Sequence, residues 1–275
     1  MPNQEEVKRV FHILLVMLML TSLGTSGYAE TGNTLTTELI LERLIEGEEA
    51  SETSADQAAN GALRLAEMVA ALDNLSIETR AEADHLNRIL DMIAEIDVPE
   101  ESLEHKLAVG TMKTFEALMI FQQQTDPKGQ YGEELRQMLD SFLASDEKAD
   151  GAKQQAVNGL YHSVFAAALI ARTFCRNQSM AKQLEAELKE FDEADKHGAE
   201  SDADQLLLGS ETLFRMLTAT VSMLDRDGSR AEELRDLSET TYSADSTDDD
   251  MSCRLVNWLY GCVYMTEMIA REIEA

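Results

Sequence analysis

Aromatic residues make up only 5% of this 275-residue chain, and it holds just three prolines and three cysteines. Strand-rich folds draw on aromatic and β-branched side chains, whereas the abundance of Leu, Ala, Glu and Met here favours helices. Three cysteines are too few for a disulfide-stapled scaffold, and an odd number leaves at least one thiol free or paired between chains. Cys253 and Cys262 are nine apart in what reads as one helix, roughly 13 Å along its axis. That exceeds the Cα separation of about 7 Å that a bridge tolerates, so three reduced, mostly buried thiols are expected. Bases are also scarce, 23 Lys and Arg against 52 Asp and Glu, for a formal charge of −29. Such a field excludes binding nucleic acid or anionic lipid through bulk charge. A basic partner, a cation, adaptation to salt, or solubility alone each fits it.

Long apolar runs are missing except at the N-terminus. Lys8 and Arg9 precede the largely apolar stretch from Val10 to Leu20, and small and polar residues follow as far as Gly27-Tyr28-Ala29. This three-part pattern is that of a secretory signal peptide over residues 1–29, cleaved before Glu30. The run is shorter than the roughly 20 residues needed to cross hydrocarbon, so no stable membrane insertion is expected after cleavage. Residues 30–275 are then read as a single exported α-helical domain, periplasmic or extracellular.

What the chain does contain is self-similarity. Gly61, Gly110, Gly159 and Gly209 mark related apolar segments, with Trp258 at the fifth such place. Between them lie more polar segments carrying Leu86, Leu135, Leu184 and Leu234 in the same phase. The apolar spacing is helical rather than alternating. The unit predicted is a pair of antiparallel helices of about 49 residues, five times over: an all-α αα-repeat array, either a solenoid or a closed variant of it. A compact multi-helix bundle is the competing architecture. Ser76, Ser201 and Ser229 are expected to cap helix starts, the last with Glu232 in a capping box. Pro99 and the stretch Thr125–Gly129 mark breaks between helices. Each Gly in a helix costs about 1 kcal/mol relative to Ala, and close approach of a neighbouring helix is the expected reason for it. Trp258 in the last unit reads as an end cap.

The Gly-marked inner helices have two faces. One is an ordinary core stripe. On the other, one phrase is written twice: Asn158, Tyr161, Phe165, Leu169 and Arg172, then Asn257, Tyr260, Tyr264, Met268 and Arg271. Either the aromatics are core and the Asn side chains satisfy buried backbone groups, or the stripe lines the concave surface of a solenoid and binds a partner. On the second reading Asn158, Tyr161, Phe165, Arg172, Asn257, Tyr260, Tyr264 and Arg271 are the partner-binding residues, and the partner is a protein or peptide, basic by charge.

Catalytic constellations are lacking. Glu82 and His85 form a single Glu-x-x-His, short of the two copies and further carboxylates that a di-iron site requires. His105, His162 and His197 lack zinc spacing, and Asp225–Ser229 lacks the glycine placement and terminal glutamate of a calcium loop. No phosphate loop or nucleophile elbow is present. The expectation is therefore a non-enzymatic exported binding protein with no cofactor or metal. The alternatives are an extracytoplasmic hydrolase using carboxylates around Glu116 and Glu211, and a self-assembling envelope protein.

Overall fold

Helix starts follow side chains able to satisfy the first free amides of a helix. Thr36, Ser102, Asn177, Ser201 and Asp250 each accept a hydrogen bond from an amide two or three residues on. Thr53 and Asp56 form a reciprocal capping box. Each such cap contributes about 1 kcal/mol. Ser229 does not cap. The turn at Gly228, with φ +76°, delays the helix, Ser229 N–H donates to Asp227, and Arg230 stands at the N-cap without a side-chain bond.

The computed structural model describes residues 35–75, 80–126, 128–248 and 250–275. The signal peptide expected at 1–29 and the cap expected at Ser76 lie outside them. Residues 35–275 cluster as one unit. Among the described residues there is no strand, and ten α-helices follow in order: α1 Thr37–Ala50, α2 Ser54–Asn74, α3 Arg80–Ile96, α4 Leu103–Thr125, α5 Gly132–Asp146, α6 Ala152–Phe174, α7 Gln178–His197, α8 Asp202–Leu224, α9 Ala231–Thr247 and α10 Met251–Glu274. No described helix is long and apolar enough to cross a membrane.

The even-numbered helices form the inside. Each packs on the next, α2 on α4, α4 on α6, α6 on α8 and α8 on α10, and α10 then packs on α2 as extensively as on α8. The array is therefore closed, a ring of five inner helices. The odd-numbered helices make their main contacts with the inner ones and sit outside them. Most inner-helix positions are buried: on α10 every residue from Trp258 to Ala270.

The marker glycines are where the ring is tightest. Each is the eighth residue of its inner helix, and so is Trp258. A Cβ on Gly110 would stand 2.6 Å from the Ala62 backbone of α2, and one on Gly159 would stand 2.6 Å from the Met112 amide nitrogen of α4. Only hydrogen fits at such a backbone crossing. Closure changes the reading of Trp258. It is no end cap, because α10 has α2 as its following neighbour. Trp258 wedges against Phe214 and Tyr242, its Nε1 donates to Asp245 at 2.9 Å, and Gly261 takes the close approach to α8 instead.

All three cysteines are free; Cys262 is buried, and Cys175 and Cys253 are half-buried. Cys253 lies at the closure seam, its Sγ 3.0 Å from Ser54 Oγ of α2.

Candidate partner-binding groove

The doubled phrase faces outward, beneath the outer helices, and not into a concavity. Closing the ring removes the concave face that a solenoid would offer. Asn158 is buried and its Nδ2 donates to Phe142 O of α5 at 3.2 Å. Asn60, at the same register on α2, donates to Leu44 O of α1 at 3.0 Å. These Asn side chains tie an inner helix to the outer helix before it. Tyr161 donates to Asp192 of α7 at 2.6 Å, and both Tyr161 and Phe165 pack on the Phe191 ring. Arg172 reaches Glu134 of α5 at 2.7 Å and Glu185 of α7 at 3.8 Å, and lies over the Tyr131 ring.

On α10 the burial is deeper. Tyr260 and Tyr264 are 2% and 1% exposed. Tyr260 accepts a hydrogen bond from Asn60 at 3.3 Å across the closure seam. Burial pushes both phenols up from their ordinary pKa. Arg271 joins Glu233 of α9 and, at 2.8 Å, Glu267 of its own helix, while Asn257 is half-buried with its amide nitrogen unpartnered. The eight residues therefore do not form one surface. Asn158, Tyr260 and Tyr264 have none to offer, Tyr161, Phe165, Arg172 and Arg271 are half-buried with contacts to neighbouring outer helices, and Asn257 is half-buried.

The same register on α8 is different. It carries Leu208, Glu211, Arg215, Ala219 and Ser222, with no aromatic, and none of the five is buried. Side chains this short or flexible cannot seal the space between α7 and α9, and a groove of about 370 Å³ opens there. Phe214, Arg215 and Thr218 form part of its floor, Met180 and Leu184 stand on the α7 wall, and Tyr242 on the α9 wall. Tyr242 is 42% exposed, its ring edge-on to Phe214 and Trp258. Arg215 reaches Glu187 of α7 at 3.5 Å. Partial burial raises the Glu211 carboxyl above its usual range, against the pull of Arg215. The two walls, α7 and α9, carry eleven carboxylates against four Lys or Arg side chains. The lining is mostly apolar, with the Glu187–Arg215 pair within it, and it contains no histidine or cysteine.

The groove lies where the phrase is lost. The fourth unit's outward positions carry no aromatic, but neither do those of the first and second units, so the sequence alone does not single it out. Glu116 and Glu211, the two carboxylates named for the hydrolase alternative, lie on separate inner helices. Glu116 is on α4, held by Lys113 at 2.7 and 2.9 Å with His85 4.0 Å away, while Glu211 is on α8, with α6 between the two helices. His162 is a core histidine, its ring nitrogens 2.9 Å from Asn158 O and 3.3 Å from Ser141 Oγ, and burial lowers its pKa. Comparison of the chain with protein-family models, curated proteins and solved structures finds no match.

Proposed function

We propose that this chain is an exported, non-enzymatic binding protein that holds a basic amphipathic helix of a protein or peptide partner in the α7–α9 groove. The observation that carries this is the unsealed outward face of α8. From Phe214 to Met223 the α8 floor of the groove runs about 14 Å at 1.5 Å per residue, some two and a half turns of a docked helix. Met, Leu, Phe and Tyr side chains suit the apolar anchors of helix-in-groove recognition, and an exposed Tyr beside an Arg is the composition of binding hot spots. The acidic walls favour a cationic rim on the partner, which would speed encounter and make association salt-sensitive. Export rests on the sequence pattern of residues 1–29.

A labelled synthetic peptide with leucines on one helical face and lysines on the other tests the reading by fluorescence anisotropy. Binding is expected to saturate, weaken with added salt, and fall by roughly tenfold or more in Tyr242→Ala, the scale of one hot-spot side chain. Equal binding by wild type, Tyr242→Ala and Leu184→Glu would show that surface acidity alone attracts the peptide, and the groove would lose its role.

A further inference from the structure

At the C-terminal end of the seam between α2 and α4, four buried polar atoms have no partner. Both carboxylate oxygens of Asp73 lack a hydrogen bond, and so do the amide nitrogen and oxygen of Gln124. Asp73 is 0% exposed. The charge acting on it is a second carboxylate, Glu82, in the first turn of α3.

The register of the ring sets these groups against each other. Gln122, the twentieth residue of α4, donates its Nε2 to Oγ1 of Thr173, the twenty-second residue of α6, at 3.3 Å. One unit earlier the corresponding residues on α2 and α4 are Asp73 and Gln124. Where the later seam has an amide paired with a hydroxyl, the earlier one has a carboxylate and an amide left unsatisfied. Burying a carboxylate with no partner is among the costliest arrangements a fold can hold, and a second negative charge beside it adds to the cost. The last turn of α2 contributes its own partial negative charge. Each of these features favours a positive charge at the same point. Beside the two carboxylates the seam offers one neutral, unpartnered oxygen, that of Gln124.

We propose that Asp73, Glu82 and Gln124 form a binding site for a hard, oxygen-coordinated divalent cation of the calcium type, at the C-terminal end of the α2–α4 seam. Carboxylate and amide oxygens are the donors such ions take, and water completes their larger coordination shells. Bound there, the cation neutralises both carboxylates and joins α2, α3 and α4, closing the seam that Gln122 and Thr173 close one unit later.

Isothermal titration with calcium chloride, after chelator treatment and at fixed ionic strength, tests this on wild type, Asp73→Asn and Gln124→Met. With 52 acidic side chains, weak surface binding is common to all three proteins. The site appears as one additional saturating event of unit stoichiometry, present in wild type and lost in Asp73→Asn. Gln124→Met is expected to weaken it by at least the roughly 10- to 100-fold that even an outer-shell partner is worth. In chelator, Asp73→Asn melts at or above wild type, since burial already disfavours the charged Asp73 carboxyl and the amide replaces it without a charge to bury, and that shows the variant folded. Calcium then raises the melting temperature of wild type more than that of Asp73→Asn. Identical calcium isotherms for wild type and Asp73→Asn would overturn the site, as would calcium shifts of equal size in their melting temperatures.

Discussion

On α10 the outward positions carry Asn257, Tyr260, Tyr264, Met268 and Arg271, and the three central side chains are at most 2% exposed. On α8 the same positions carry Leu208, Glu211, Arg215, Ala219 and Ser222, and a groove stands over the last three. Both helices belong to one ring and pack on each other. What separates them is side-chain bulk at a few outward places. Large rings fill the space beneath two outer helices, and small or charged groups leave it open. The aromatic stripe on α10 thus acts as a seal, and the groove proposed for binding lies over α8, where no aromatic fills the space.

The comparison can be broken most severely at the seal. Tyr264→Ala is expected to cost about 3–5 kcal/mol, the usual effect of truncating a buried aromatic. Arg215→Ala, at the matching place on α8, removes a largely solvated ion pair and should cost under about 1 kcal/mol. Denaturant titration of both variants measures the contrast, and equal losses would show that α8 is sealed too. Gly159→Ala sharpens the same point at the ring's crossings. Its Cβ meets the α4 backbone, so overpacking of about 1–3 kcal/mol should outweigh the roughly 1 kcal/mol gained in helix propensity. A stabilised Gly159→Ala protein would mean that the helices are not in contact there.

Buried carboxylates give a pH version of the contrast. Burial raises Glu267 on α10 up to about 7, although Arg271 pulls the other way. The folded protein therefore holds this proton more tightly than the unfolded chain does. Its contribution to stability is full below the ordinary carboxylate range and is lost as pH rises from there through about 7. Unfolding free energies measured from pH 4 to 8 should fall less steeply in Glu267→Gln than in wild type. Glu211→Gln on half-open α8 should flatten the profile less, because solvent reaches that carboxyl. Matching slopes for all three proteins would remove burial as the cause. The smallest effect on stability belongs to Ala219→Phe, which puts a ring where α8 lacks one. Stability should stay within about 0.5 kcal/mol, as for substitutions away from packed features, while the leucine–lysine peptide no longer binds. Unimpaired peptide binding by a folded Ala219→Phe protein would place the partner elsewhere.

Much of the fold was legible in the sequence because helical spacing, caps and breaks are local. Ser201 caps α8, Pro99 follows the end of α3 at Ile96, and the stretch from Thr125 ends α4. The close approach expected at the glycines is present at Gly110 and Gly159. Closure was not legible. It depends on a small rotation between successive helix pairs summing to a full turn, and no single residue encodes that. For the same reason Trp258 read as an end, and the Asn–Tyr–aromatic–Arg face read as open. The Asp73 site was hidden because its partners are assembled by the ring: Asp73 falls on a core stripe, Glu82 reads as a solvated helix face, and Gln124 is one glutamine in a run of three.

Ring closure can be tested directly at the seam between the first and last inner helices. Ser54 Oγ and Cys253 Sγ are 3.0 Å apart, within the side-chain geometry that a disulfide can adopt. In a Ser54→Cys variant under mild oxidation, a closed ring gives an intramolecular bridge between positions 54 and 253, visible as a faster-migrating monomer on a non-reducing gel and as one linked peptide pair by mass spectrometry. An open array gives thiols that stay reduced or bridge only between molecules, and that result would contradict the closed ring.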